Sequence, residues 1–327
     1  MPWVVRDVVH DINKAVGRRW QGLDSLLPDP GDLPEGCMAP LVASGTNGRP
    51  AALAVCHHQH VPAGTLNQTW GTAGRFSLIP RLREADTAAA LDDLLGQWRA
   101  HLAGLPEASA GDTAAMITWP SRDVSGVNTL LRHGMQALTV IAVRSAGPAP
   151  AGPAPAGPPV AADGDLVIRE AGPADLDTVT EFEMGVIRYD ALFGAAILRP
   201  ATEPLVRAET QAALAARPAR AWLAERDGRP VGLLHVQPPD QSGWIAGMTR
   251  PGPTAYLQTM FVRPGERGSG IGAALVRHVH AVLDGRGVQA TLLHYAQTNP
   301  LSAPFWNRVG YRPLWTGWEV RPAASLR

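Results

Sequence analysis

Two mixed α/β domains, each a mostly antiparallel twisted sheet flanked by helices, are what this sequence predicts, and three observations predict them. The chain has 327 residues with 45% hydrophobic content, enough for two ordinary cores. One stretch, AGPAPAGPAPAGPP from Ala146 to Pro159, is compositionally unlike the rest. Turn, strand and helix signals then recur in the same order on either side of it.

The proline tract cannot contribute a packed face. Proline fixes the backbone and removes donors, so the tract reads as an extended spacer between domains. The division is therefore 1–145, a linker at 146–163, and 164–327.

Each half places a tight turn between two apolar runs, Asn47-Gly48-Arg49-Pro50 and Asp227-Gly228-Arg229-Pro230. Asn-Gly and Asp-Gly accept positive φ, so each turn joins antiparallel strands. Phe76 to Pro80 leads after eleven residues to Leu91 in a helical stretch, and Phe261 to Pro264 leads after eleven to Leu275 in another. Apolar strands follow at Ala114 to Trp119 and Ala290 to Tyr295. Short helices then stop at Gly134 and Gly310, each just after an Arg-bearing turn. Closing strands run over Leu138 to Val143 and Leu314 to Val320. Four matches in one order point to duplication. The second half also holds a strand at 166–170, helices from Pro173 and over 204–216, and a hairpin over 221–236. A strand at 255–262, a helix at 270–283 and a short helix at 303–309 complete it.

Composition excludes several function classes. Net charge is zero, with 29 basic and 29 acidic residues, which favours neither nucleic acid nor an anionic membrane as partner. Cys37 and Cys56 have no metal or disulfide spacing and read as packing thiols in a reducing compartment. No apolar run approaches the ~20 residues of a membrane span, and charges interrupt the N-terminus, so a cytoplasmic protein is expected. His57, His58 and His60 lack supporting carboxylate or cysteine spacing, so no metal is expected and they read as a solvated loop.

Chemistry concentrates in Arg267-Gly268-Ser269-Gly270-Ile271-Gly272-Ala273. An apolar strand ends, Pro264-Gly265 breaks it, and glycines open a helix. Amides at a helix start point outward unpaired, and the helix dipole adds partial positive charge. Without Cβ atoms in the way, a pyrophosphate can touch those amides. The run also fits a dinucleotide fingerprint, but only 55 residues follow Gly272, too few for a nucleotide-binding half. No Gly-Lys-Ser/Thr follows, which excludes a Walker loop. A glycine-rich helix start without a ligand is the bland alternative.

The run from Leu257 to Leu275, followed by Asn299, Ser302 and Phe305-Trp306-Asn307-Arg308-Val309-Gly310-Tyr311, resembles the GNAT superfamily of N-acetyltransferases. The resemblance covers about 165–320, with a weaker echo over 35–144. It implies that acetyl-CoA is the co-substrate. The backbone of Met260, Phe261 and Val262 would hold its arm as an added strand. Amides from Arg267 through Gly268, Ser269, Gly270, Ile271, Gly272 and Ala273 would hold its pyrophosphate. Asn299 falls where the family contacts the cofactor arm, though turn chemistry in Thr298-Asn299-Pro300 explains it equally. Trp306, counted with the cofactor residues, stands where many relatives carry a general-acid tyrosine. An indole is too weak an acid for that role. Tyr295, Tyr311 or water could assist, because a thiol of pKa about 8.5 leaves tolerably near neutral pH.

For the general base the resemblance points first to His294, on the strand feeding Asn299, and second to His235. Alternation puts His294 opposite Tyr295. Each histidine also has a structural reading as a hydrogen-bonded sheet residue. Glu183, Tyr189, Asp190 and Phe193, with the Trp244 to Thr249 loop, are expected at the acceptor pocket, or else form a solvated helix face. The expected partner is a small-molecule amine, with the protein a monomer or homodimer. A coenzyme-binding sensor and a protein-terminus or lysine acetyltransferase are the alternatives.

In the first half the counterpart of the glycine run is Arg83-Glu84-Ala85-Asp86-Thr87-Ala88. Two glycines have become carboxylates that would face a pyrophosphate. Asp123 replaces Asn299 and Leu130 replaces Trp306. This half is expected to be a degenerate copy without cofactor chemistry.

Overall fold

The computed structural model of the chain describes residues 2–45, 48–83, 87–147 and 166–327, with side chains from residue 9 onward. Most of the linker, Asn47 of the first hairpin turn, and Glu84 to Asp86 lie outside the described residues.

In chain order the first elements are α1 (Pro2–Leu23), β1 (Leu41–Ser44), β2 (Pro50–His60), β3 (Gly74–Leu82), α2 (Thr87–Ala103), β4 (Thr113–Pro120), α3 (Val127–Arg132) and β5 (Gln136–Ser145). After the linker come β6 (Leu166–Glu170), α4 (Leu176–Ala191), α5 (Thr202–Ala215), β7 (Ala221–Arg226), β8 (Arg229–Gln237) and α6 (Gly243–Ala246). The last are β9 (Thr254–Val262), α7 (Ile271–Gly285), β10 (Ala290–Ala296), α8 (Ser302–Arg308) and β11 (Arg312–Val320). The fold is mixed α/β with a mostly antiparallel arrangement, as expected. Asp227 and Gly228 take positive φ (50° and 68°), the left-handed pair that the hairpin between β7 and β8 requires.

By contacts the chain sorts into two units: Met1–Ala63, Thr72–Val140 and Pro313–Arg327, and separately Gly64–Gly71 with Ile141–Arg312. The linear division assigned each closing strand to its own half. Instead β11 pairs antiparallel with β4, from Trp315 opposite Pro120 to Val320 opposite Ala115. The alternation of a strand fixes which residues face a core but carries no address for its partner. In the first unit Trp318 of β11 joins Phe76, Leu91, Trp98, Ile117 and Leu130 in one core.

The second unit orders its strands β10-β9-β8-β7-β6, with its share of β5 outside β10. Helix α4 lies on one face, where Phe182 joins Val179, Leu223 and Leu233. Contact there is close: a Cβ added at Gly185 would sit 2.7 Å from the Phe261 ring. Residues 64–71 of the N-terminal half belong to this unit. Ile197 N donates to Thr69 O (2.8 Å), the Thr69 and Thr202 hydroxyls bond at 3.0 Å, and Arg199 Nε donates to Gln68 O.

Two local expectations need correction. His57, His58 and His60 form the exposed end of β2 rather than a loop, with His58 stacked on Phe76 at 3.9 Å. Cys56 is buried, which pushes its thiol up to about 11, but Cys37 is exposed and does not pack. Among the described residues no helix is long and apolar enough to cross a membrane, and no group of three or more His, Cys, Asp or Glu could hold a metal.

Candidate functional site

The site begins where two strands part. Strands β9 and β10 run parallel, but their register holds only from Thr254 opposite Ala290 to Tyr256 opposite Leu292. Beyond that the edge of β9 from Leu257 to Val262, which includes Met260, Phe261 and Val262, loses its neighbour on this side. On the other side β9 stays paired with β8 as far as Val262 opposite Gly232. A bulge interrupts that pairing: Thr259 faces His235 and Leu257 faces Val236, leaving Gln258 as the extra residue. Such an unpaired edge can accept an extended ligand by strand addition.

At the end of β9 the glycine run turns into α7. Gly268 and Gly270 adopt φ of 84° and 86°, and Gly270 caps the helix. Left-handed backbone costs other residues roughly 1–2 kcal/mol, so the glycines keep this turn open without strain. A Cβ at Gly268 would meet nothing within 4 Å. The first-turn amides of α7 lack intrahelical acceptors by geometry and carry the positive end of its dipole. Ser269 Oγ donates to Glu266 O (2.6 Å), and Arg267 Nε donates to Val262 O (3.2 Å). The Arg267 guanidinium lies over the Tyr189 ring at 5.5 Å, which brings the end of α4 beside the glycine turn, and Tyr189 in turn meets Phe193 edge-on.

Two of the candidate residues are taken up internally. His235 Nδ1 and Glu183 Oε1 are 2.7 Å apart with both side chains buried, and Thr210 donates to the other Glu183 oxygen. Glu183 is thus committed to His235 and Thr210 rather than offered outward.

Asp190 is placed differently. It sits at the end of α4, half-buried, and its carboxyl is pushed up to about 6 by loss of water, against a lowering hydrogen bond from Asn299. Asn299 is buried, and its Oδ1 accepts from Leu301 N (3.0 Å), so it performs its turn chemistry and reaches Asp190 as well. Burial raises the Tyr256 phenol, and the charge of Asp190 adds to that shift.

Tyr256 and His294 meet at the point where the strands separate. Tyr256 Oη and His294 Nδ1 are 3.2 Å apart. Desolvation by the crowding rings lowers the imidazole pKa, while part of its surface stays exposed. Trp244, on α6 rather than in an open loop, is 61% exposed and completes the group. Tyr295 is buried, so its phenol is raised. Trp306 is also buried, between Phe305 (4.9 Å) and Tyr311 (5.3 Å), and Tyr311 Oη bonds His280 Nε2 at 3.0 Å deep in the core.

The structure therefore gathers Asp190, Asn299, His294 and Trp244, and it adds Tyr256, which the sequence reading passed over. Without the strand register, nothing marked Tyr256 as different from any half-buried sheet tyrosine.

Residues 191–311 match the Acetyltransferase (GNAT) family. A GCN5-related N-acetyltransferase from Sphaerobacter thermophilus superposes with a TM-score of 0.51 at 18% identity, covering 94% of this chain and 84% of its own. An acetyltransferase of the GNAT family from Colwellia psychrerythraea gives a TM-score of 0.47 at 11% identity, over 85% and 83% of the two chains. At such identity the first of these likenesses speaks for the fold alone, and the second carries no argument. No curated protein matches the chain in sequence.

Proposed function

We propose, from a chain whose residues 191–311 form a GNAT-family domain, that the C-terminal half transfers an acetyl group from acetyl-CoA to the primary amine of a small molecule. The observation that carries this reading is the early end of the β9–β10 pairing beside an open helix start. The freed edge at Leu257–Val262 offers backbone donors and acceptors, and the first-turn amides after Gly270 offer donors. They suit a carrier that is extended at one end and doubly phosphorylated at the other.

The carrier supplies an activated thioester carbonyl. The residues of this chain supply the rest. Met260, Phe261 and Val262 offer backbone to the arm, and Gly268 to Ala273 offer amides to the phosphates, with Arg267 adjacent. Asp190, with a pKa of about 6, is better matched to accept the amine proton near neutral pH than His294, whose basicity is lowered. His294 and Tyr256 then act as a hydrogen-bonded pair at the strand fork. As the N–C bond forms, the C–S bond breaks. The amine proton passes to Asp190 and the thiolate takes one from solvent. A thiolate leaves readily enough that a tyrosine at position 306 is not required. The first half, with Glu84 and Asp86 in its counterpart run, is a degenerate copy in this reading.

Calorimetry with acetyl-CoA and a thiol-release assay over an amine panel test the proposal. Binding with turnover supports it. Binding without turnover for any amine identifies a sensor, and no binding at all removes the function altogether.

A further inference from the structure

Three aromatic side chains around the strand fork form one contact cluster. Trp244 and His294 are nearly parallel, 9° apart with ring centroids at 6.1 Å. Tyr256 stands edge-on to both, at 5.0 Å and 72° from Trp244 and at 5.7 Å and 67° from His294. Trp244 is among the most exposed large apolar residues described, yet it is held in place. Its Nε1–H donates to Gln237 Oε1 (2.8 Å), Gln237 Nε2 donates to Gln258 Oε1 (3.0 Å), and Gln258 bonds the Glu209 carboxylate. An indole fixed by a chain of three hydrogen bonds but left open to water is positioned for contact rather than for the core.

Two carboxylates approach the cluster. Asp190 acts on Tyr256 from the end of α4, and Glu209 closes the hydrogen-bond chain from α5. Among the described residues neither carboxylate is paired with an arginine or lysine. Aromatic faces carry a negative quadrupole, so rings and carboxylates together attract a cation and reject an anion. Trp244 and His294 stack on each other, so a cation would sit over the exposed side of the cluster rather than between these two rings.

We infer that the acceptor carries two nitrogens, the amine to be acetylated beside Asp190 and a second, protonated ammonium or alkylammonium held by Trp244, Tyr256 and His294. This rests on the acetyl-transfer reading above. The chemistry separates the two nitrogens. The attacking one must be neutral, whereas the aromatic box rewards a group that keeps its charge.

The test uses the full-length chain and matched amines, pentylamine against 1,5-diaminopentane, in the thiol-release assay. The diamine is expected to show kcat/KM at least ~10-fold higher, about 1.4 kcal/mol. Trp244→Leu is expected to erase that ratio and Trp244→Phe to keep most of it, while both variants bind acetyl-CoA as the wild type does. Tetramethylammonium, which cannot be acetylated, is expected to compete with the diamine in the wild type and not in Trp244→Leu. Equal kcat/KM for the two amines overturns the inference and leaves acetyl transfer standing. If no amine turns over, the acetyl-transfer reading falls instead. Binding of tetramethylammonium, followed by the fluorescence difference between wild type and Trp244→Phe, then decides whether the box holds a cation.

Discussion

Asp123 and Asn299 occupy the same point in two similar layouts, and they have become different things. Each follows a strand, and each side chain accepts the amide two residues on, from Ser125 and Leu301 respectively. Each precedes a short helix whose buried apolar residue is Leu130 in one case and Trp306 in the other. The helix starts correspond as well: α2 begins at Thr87, four residues after Arg83, and α7 at Ile271, four after Arg267. Both parallel strand pairs stop early, β3–β4 after Ser77 opposite Met116 and β9–β10 after Tyr256 opposite Leu292. What separates the units is what the turn residue does next. Asp123 is locked by Arg19 of α1, which also lies over Trp119 at 5.6 Å, whereas Asn299 reaches Asp190. Backbone architecture has been kept in both units. In one the spare polar group is spent on an ion pair, and in the other it remains available for chemistry.

Substitutions can break that contrast. The largest effect is expected at Gly270, whose φ of 86° L residues rarely adopt and whose place at the helix start would set an added carboxylate against the proposed phosphates. Gly270→Asp should lower acetyl-CoA affinity at least ~100-fold by calorimetry, and an unchanged affinity would show that the turn is not the phosphate site. Next, Asp123→Ala strands the Arg19 guanidinium, 8% exposed, and should cost about 3 kcal/mol in denaturant unfolding. Asn299→Ala removes the turn hydrogen bond from Leu301 N and the one to Asp190 and should cost about 1 kcal/mol, with its main effect on rate.

The pH dependence sharpens the comparison further. If Asp190 is the base, kcat/KM should rise as pH climbs through about 6, and Asn299→Ala should move that midpoint upward, since the lost hydrogen bond favoured the ionised form. The raised pKa also means that folding opposes ionisation of Asp190. The cost is absent below an ordinary carboxylate pKa of about 3.9 and complete above about 6. Asp190→Asn should therefore raise the melting temperature at pH 8 and leave it unchanged at pH 3. The smallest effect is expected for Ala88→Gly in α2, which restores one glycine beside Glu84 and Asp86 and should give the first unit no measurable affinity for acetyl-CoA.

Legibility in the sequence followed the range of the interaction. The strand at Leu166–Glu170 has the expected bounds, and the hairpin at Asp227-Gly228 and the cap at Gly270 were readable from one or two residues. Their geometry is set by local sterics, φ and the missing Cβ, so a few adjacent letters specify it. The pairing of β11 with β4, the excursion of residues 64–71, the burial of Glu183 against His235, and the box of Trp244, Tyr256 and His294 were beyond sequence reading. They depend on groups dozens to hundreds of residues apart meeting at contact distance, and on the water those contacts expel. The sequence by itself determined two α/β layouts and one open helix start. Only the tertiary structure decided which carboxylate loses enough solvent to hold a proton near neutral pH, because desolvation belongs to the assembled surroundings and not to the residue.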